Sequence, residues 1–261
     1  MYLFYFNSNN NEIAVYVMLI ASFFIALFAT LAVDRYNQKQ KFKLLGSDLD
    51  FYSFIGTEYT FNYNKLDEDV IISKIRTSMQ YFNVIQFKSF VSDVYLTHME
   101  TFEKKTATIV QQYATKESYL NFKNIIDNNT LNNYTTTFKN FKYNLIVIED
   151  YSSTDENEVI WVSVYYSTIL YTLDKNNHLL FGHPTKNYDF KSTIKFILNS
   201  NVKNNENTYI IPKTLCPKCD NVLNISEDGL CTKCDLDIQN GNSHWVIDSL
   251  AFNIHLPLDD K

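Results

Sequence analysis

The chain has 261 residues, with 29 acidic and 23 basic side chains and a formal net charge of −6. Only two of the basic residues are arginines, Arg35 and Arg76. Because nucleic-acid readers depend on arginine forks and a basic face, this balance argues against DNA or RNA as a partner. The length suffices for one domain of ordinary size together with smaller segments.

The first predicted element is an uncharged apolar run from Ile13 to Val33. At about 1.5 Å per residue, a helix over this run is roughly 30 Å long, which matches the hydrocarbon core of a bilayer. A cleaved signal peptide is the alternative, but the first twelve residues lack a basic n-region and the run is too long. We therefore predict a short extracytoplasmic tip over residues 1–12 and a single transmembrane helix over residues 13–33.

Basic residues after the apolar run predict its orientation. Four basic residues follow the run, and only one acidic residue, Asp34, lies near them. The basic residues are Arg35, Lys39, Lys41 and Lys43. Because positive charge favours the cytoplasmic side, we expect an integral, single-pass protein of the inner (plasma) membrane with its carboxyl-terminal part in the cytoplasm. Residues 34–65 lack a sustained period and are predicted to be a juxtamembrane connector.

Helical periodicity follows the connector. Four helical stretches are predicted, over about Leu66–Met79, Tyr95–Ala114, Leu120–Ile126 and Leu131–Phe138. The acidic residues Asp67, Glu68 and Asp69 are interpreted as helix-start residues that favour the helix dipole, and not as a metal site. Glu103 with its two lysine neighbours is interpreted as a solvated helix face.

The period then changes from 3.6 to 2. Three strands rich in β-branched and aromatic residues are predicted, over Tyr143–Glu149, Val159–Leu173 and Tyr188–Leu198. Asp174–Asn177 is predicted to reverse the chain between the second and third strands. Helices followed by long strands with short turns predict an α+β domain over residues 66–205, in which an antiparallel sheet curls over the helices.

All four cysteines lie near the carboxyl end in two CxxC pairs, and they are Cys216, Cys219, Cys231 and Cys234. This spacing is typical of a tetrahedral zinc site. Two disulfides are the alternative, but pairing within a CxxC closes a strained ring and cross-pairing needs an oxidising compartment. Because four thiolates leave no open position, we predict one structural Zn²⁺ in a ribbon over residues 206–255.

Turn signals support the ribbon. Each cysteine pair is followed by an aspartate, Asp220 or Asp235, at a position where such ribbons commonly carry glycine. Aspartate tolerates the left-handed conformation better than most residues. Gly229 precedes the second pair, and Asn240-Gly241 is a strong signal for a tight turn.

Catalytic motifs are missing from this sequence, which has no HExxH, GxSxG or phosphate-binding glycine loop. His178 and His183, near Asp174, are candidates for an acid/base pair, but a turn or surface role is the expectation. His244 is a candidate substitute metal ligand, which four thiolates make unnecessary. Trp161 is expected in the core, with a ligand pocket as the alternative. We therefore predict a protein that is not an enzyme.

The carboxyl-terminal pattern carries a family resemblance. CPKC, Gly229, CTKC, Asn240-Gly241 and HWVI with Trp245 resemble the ending of bacterial membrane-anchored proteins of the Tim-forty-four-like family, named for the import-motor tether of the mitochondrial inner membrane. The stretch Thr108–Tyr134 is also similar, and the resemblance covers about Asp67 to Leu250. The family's tryptophan and arginine on the last strand are absent from Lys191–Phe196.

The resemblance implies a cone-shaped α+β domain, like that of nuclear-transport-factor and cystatin-like folds, that docks on membranes and recruits partners in protein translocation. From it we expect a cytoplasmic domain that binds a protein or a lipid. The alternative is a small-ligand binder or an enzyme that uses the cavity of such a cone. A deep pocket lined by convergent polar groups would favour the alternative, and an apolar groove open at one edge would favour partner binding.

Overall fold

The computed structural model describes residues 65–203 and 215–255. Within these two ranges, none of the helices combines the length and the hydropathy that a membrane crossing requires. The predicted tip, the transmembrane helix over Ile13–Val33 and all of the connector except Lys65 lie outside the described residues.

The amino-terminal half of the described chain is helical. Its elements are α1 (Lys65–Ser78), α2 (Val84–Lys104), a 3-10 turn (Thr108–Tyr113) and α3 (Lys116–Leu131). Asn83 begins α2, because its side chain accepts hydrogen bonds from the amides of Ile85 and Gln86. Thr115 begins α3 in the same way through the amide of Ser118. The first predicted helix is confirmed.

Two of the predicted helix bounds are wrong. Tyr95–Ala114 is not one helix, because Lys105 adopts the left-handed conformation with φ 52° and ends α2. The apolar residues that follow lie in the 3-10 turn, whose three-residue spacing resembles the period of an α-helix. Leu131–Phe138 is not a helix, because α3 ends at Leu131 and the chain turns at Asn133, whose φ is 55°.

Four strands follow, β1 (Thr135–Ser153), β2 (Asn157–Leu173), β3 (Leu179–Asn199) and β4 (Val246–His255). They form one antiparallel sheet in the order β1-β2-β3-β4. The three predicted strands are confirmed, and each is longer than predicted. β4 was not predicted, and it lies in the span 206–255 that the sequence assigned to the ribbon. The α+β class with an antiparallel sheet is confirmed.

The core lies between the helices and one face of the sheet. Even-numbered residues of β2 from Glu158 to Thr172 are all buried, whereas several of their odd-numbered neighbours are half-buried. This alternation is the pleat of a strand with one face on the core. The register shifts that interrupt the pairing of β1 with β2 are bulges, and such bulges bend a strand.

Aromatic side chains fill the space between α2 and the sheet. The rings of Tyr166 and Phe190 stack with their centroids 4.9 Å apart, and Phe141 stacks on Tyr166 at the same distance. Tyr95 is fully buried, and its hydroxyl lies 2.7 Å from the hydroxyl of Ser192. Burial raises the pKa of Tyr166, which keeps this phenol neutral in the native state.

Two carboxylates from the helices accept hydrogen bonds from amides at the outer edge of β1. Glu68 of α1 accepts a 2.7 Å hydrogen bond from the amide of Ile148 and pairs with Lys88 at 2.7 Å. Glu103 of α2 accepts a 3.3 Å hydrogen bond from the amide of Phe138. Glu68 lies in the first turn of α1, as predicted, but its buried carboxylate also joins two helices to the sheet.

Candidate metal centre

The four cysteines form one cluster. All their sulfur atoms lie within 4.8 Å of one another, and the Sγ atoms of Cys216 and Cys234 are 3.6 Å apart. Cys216 and Cys231 are buried, while Cys219 and Cys234 are half-buried, and none is in a disulfide. Within residues 65–203 and 215–255, no other group of three or more metal-ligating side chains converges in this way. The four thiols are positioned to hold a metal ion.

The two CxxC loops have the same construction. In the first loop the amide of Asp220 donates to the carbonyl of Cys216 at 2.9 Å, and in the second the amide of Asp235 donates to Cys231 at 3.0 Å. Both aspartates are left-handed, with φ values of 55° and 56°, as the sequence predicted. Each loop therefore turns back after its second cysteine and directs both of its sulfurs to one side.

Backbone and side-chain N–H groups tune the thiols. Hydrogen bonds from the side chain and the backbone of Asn221 lower the pKa of Cys219 to about 6. The backbone N–H of Lys233 lowers the pKa of Cys231. The amide of Leu236 acts to lower the pKa of Cys234, but burial and the three other thiols outweigh it and raise that pKa to about 12. Crowded thiolates repel one another, so a cation at their centre stabilises the ionised set.

Two buried glutamines join the cysteine loops to the helices. The side-chain amide of Gln111, in the 3-10 turn, donates to the carbonyl of Ser226 at 3.0 Å. The side-chain amide of Gln239 donates to the carbonyl of Gln111 at 3.1 Å. Gly229 lies against Gln239, since a Cβ at this position would be 2.4 Å from the Oε1 atom of Gln239. These contacts were not predictable from spacing, because the partners are far apart in the chain.

The segment after the cysteines enters the core of the α+β domain. The carbonyl of Gly241 accepts a 3.0 Å hydrogen bond from the amide of Asn199, at the end of β3. Trp245 is fully buried, and its ring meets that of Phe87 edge to face at 5.5 Å. The Nε1 atom of Trp245 is buried without a hydrogen-bond partner.

His244 is turned away from the cysteines. Its Nε2 atom donates to the carbonyl of Gln112 at 2.7 Å, and its Nδ1 atom then accepts from the hydroxyl of Ser243, also at 2.7 Å. Burial lowers the pKa of His244 to about 4, so the ring is neutral near pH 7. The candidate substitute ligand is therefore a structural residue between the metal cluster and β4.

The other candidate catalytic histidines lie in and near an exposed turn. Asp174 accepts 2.8 Å hydrogen bonds from the amides of Asn176 and His178, which stabilise the predicted reversal. The His178 side chain is 75 % exposed and lies 3.2 Å from the second oxygen of Asp174. His183 accepts from the amide of Thr185 at 3.2 Å. This geometry fits the turn role that was expected for both histidines.

Sequence reasoning missed a buried carboxylate. Glu158, at the start of β2, is fully buried and accepts hydrogen bonds from Lys203 at 2.9 Å, from Ser153 at 2.9 Å and from the Tyr151 hydroxyl. Burial disfavours its ionised form, but these hydrogen bonds outweigh burial and lower its pKa. Ser200 also donates to it at 3.2 Å. The carboxylate is so fully paired that it acts as a structural joint between β1, β2 and the end of β3.

Trp161 is not a core residue, contrary to expectation. It lies on the sheet face opposite to the helices and is half-buried. The ammonium group of Lys195 lies 5.6 Å from the centre of its ring and also pairs with Asp248 at 2.7 Å.

Comparison of the chain with protein-family models gives no match, and comparison with curated proteins gives none either.

Proposed function

We propose that this chain is a non-enzymatic, single-pass protein of the inner (plasma) membrane, whose cytoplasmic α+β domain binds a protein or lipid partner. In this proposal the four cysteines hold one structural Zn²⁺. The observation that carries it is the sulfur-only cluster fastened to the α+β domain, because such a site stabilises a fold and offers no position for a substrate. The apolar run Ile13–Val33 supports the membrane anchor.

Zinc is the metal that this cluster suits best. A tetrahedron with Zn–S bonds of 2.3 Å has sulfur–sulfur edges of about 3.8 Å. The sulfurs of Cys216 and Cys234, 3.6 Å apart, are already at such an edge, and the whole set lies within 4.8 Å. Thiolate ligands in a reducing compartment select zinc over magnesium or calcium, which prefer oxygen.

The packing of the interior argues for a binding surface over an enclosed ligand site. An enzyme or small-ligand binder with this architecture would use the space between the helices and the sheet. In the described residues that space holds the fully buried rings of Tyr95 and Tyr166 and the stacked rings of Phe141 and Phe190. The exposed histidine turn at Asp174 supplies no enclosed site.

We further propose that the chain belongs to the Tim-forty-four-like family and that its α+β domain has the cone shape of that family. The order of helices, antiparallel strands and a cysteine cluster supports it, as does the burial of Trp245 from the HWVI ending. The missing tryptophan and arginine on Lys191–Phe196 leave the family's partner contacts without matching residues here. The proposed role in protein translocation or membrane-associated assembly therefore rests on the family resemblance alone.

Crosslinking in membranes tests the function. A photo-crosslinking amino acid at Ile85 or at Leu131, which are 78 % and 79 % exposed, samples two separate helices. The full chain is then purified from membranes beside an anchor-only control, residues 1–64, that carries the same crosslinking amino acid within residues 34–64. A protein or lipid adduct found with the full chain, at one position and not the other, supports the proposal. Equal recovery from the anchor-only control contradicts it.

Two further measurements test its remaining parts. Metal analysis of the purified chain should give one zinc per chain, and Cys219→Ser should abolish stoichiometric zinc. An amino-terminal tag should react with a membrane-impermeant reagent in intact cells, since the orientation places residues 1–12 outside. Protection of the tag would reverse the proposed topology.

A further inference from the structure

The cysteine cluster is not a terminal appendage of the sheet. Residues 200–245 connect β3 to β4, and all four cysteines lie in this connection. β4 then pairs with β3 from Ile197↔Val246 to Asp189↔His255. The chain therefore has to pass through the metal-holding loops before it can complete the sheet.

The contacts between the loops and the helices lie on both sides of the second cysteine pair. Ser226, before that pair, accepts from Gln111, while Gln239, after it, donates back to the same glutamine. Gln111 and Gln239 are 8 % and 3 % exposed, so water cannot readily replace these hydrogen bonds. Gln111 of the 3-10 turn is thus hydrogen-bonded to residues on both sides of the second cysteine pair.

His244 and Trp245, directly before β4, also contact the 3-10 turn and α2. His244 donates to Gln112, the neighbour of Gln111, and Trp245 inserts against Phe87 of α2. The Trp245 ring is fully buried although its Nε1 has no hydrogen-bond partner, so its burial is opposed by an unsatisfied donor. The carbonyl of Ile247 accepts from Thr115 at 2.8 Å and connects the start of β4 to the start of α3.

We propose that the metal ion controls the docking of β4: with the metal bound, the glutamine contacts hold Trp245 and β4 on the domain, and without it this edge of the sheet opens. The metal thereby acts as a conformational switch and not only as a local clamp for the loops. The inference rests on metal binding by the four cysteines and is independent of the membrane partner.

A two-tryptophan chain makes the switch measurable. The sequence contains only Trp161 and Trp245, so Trp161→Phe leaves Trp245 as the single reporter, and Trp161 lies on the opposite face of the sheet. The full chain in detergent micelles is loaded with zinc, stripped with a chelator and loaded again. Fluorescence and hydrogen exchange are followed while bound zinc is measured in the same samples.

The expected result is a reversible red shift of Trp245 emission on stripping. Amide exchange over Val246–His255 should become at least tenfold faster, while exchange over Asn157–Leu173 of β2 stays within threefold. Gln111→Ala is the matched variant, which should keep its zinc and yet show faster β4 exchange.

Three outcomes would overturn the inference, and they can be told apart. Unchanged Trp245 emission and β4 exchange after complete loss of zinc would show that the metal and the strand are uncoupled. Equal acceleration of β2 and β4 would show that the metal holds the whole domain and not one edge. Absence of bound zinc before stripping would refute the metal site itself, whatever the membrane partner proves to be.

Discussion

Gly229 offers the sharpest test of how the cysteine loops are joined to the domain. Its φ of +84° lies in the left-handed region, where an alanine costs roughly 1–2 kcal/mol. The added Cβ would also lie 2.4 Å from the Oε1 of Gln239, which forces that side chain to move. Moving it breaks the hydrogen bond to Gln111 inside a buried site, for about 1–3 kcal/mol. We expect Gly229→Ala to lower the free energy of unfolding by about 2–5 kcal/mol.

A double-mutant cycle separates the two causes. In a Gln239→Ala background the crowded oxygen is gone, so Gly229→Ala should cost only the backbone term of roughly 1–2 kcal/mol. The assay is urea unfolding of the full, zinc-saturated chain in detergent micelles, with the four variants measured side by side. Equal costs of Gly229→Ala in both backgrounds would refute the claim that Gln239 packs on this glycine.

Three other perturbations have defined outcomes. Glu158→Ala removes a buried, fully hydrogen-bonded carboxylate and should cost about 3 kcal/mol in urea unfolding, whereas the exposed Glu156→Ala should stay within about 0.5 kcal/mol. His98, in α2, is buried like His244. Burial lowers the pKa of both histidines from the ordinary 6.5 to about 4, so the unfolded chain takes up protons first, and stability decreases as the pH is lowered from 6.5 to 4. Between pH 7 and 5.5 each histidine should account for a stability loss of roughly 1.2 kcal/mol, and His98→Gln should reduce the measured loss over this interval by that amount. Cys219→Ser should lower zinc affinity by at least tenfold in a competition titration, with unchanged affinity contradicting the four-thiol site.

Chain entropy alone cannot explain a coupling between the metal and β4. Closing the loop between Cys216 and Cys234 shortens the connection over residues 200–245, which changes its closure free energy by only about 0.5 kcal/mol. A structural zinc site, by comparison, contributes on the order of 10–16 kcal/mol to the folded state of its own loops. A coupling of the proposed kind would therefore require specific contacts, such as those of Gln111 and Gln239.

Local patterns predicted most of the elements but not their long-range assembly. The alternation in Val159–Leu173 predicted β2 because a strand with one buried face repeats every two residues. Phe138 was assigned to a helix because its spacing from Leu131 is helical, although Thr135–Thr137 is a run of β-branched residues that favours a strand. β4 was missed since its partner, β3, lies on the far side of the cysteine loops.

In the candidate site, too, the local features could be predicted and the long-range contacts could not. The CxxC spacing was sufficient to predict the cluster and even the left-handed aspartates, since both follow from the local turn. The joint at Glu158 left a weaker signal: it shares strand parity with the buried Ile160 and Val162, so a charge stood at a core position. Its partner Lys203 lies far along the chain, and only the folded structure brings the two together.

The two carboxylates at the outer edge of β1 have a consequence for how these molecules behave at high concentration. Strand edges with free amide groups act as templates on which strands from other molecules can add, and this addition leads to aggregates. Glu68 and Glu103 occupy the amides of Ile148 and Phe138, and each places a negative charge where an incoming strand would need a carbonyl oxygen. Neutralising these two carboxylates would therefore remove a barrier to edge-to-edge growth of this sheet.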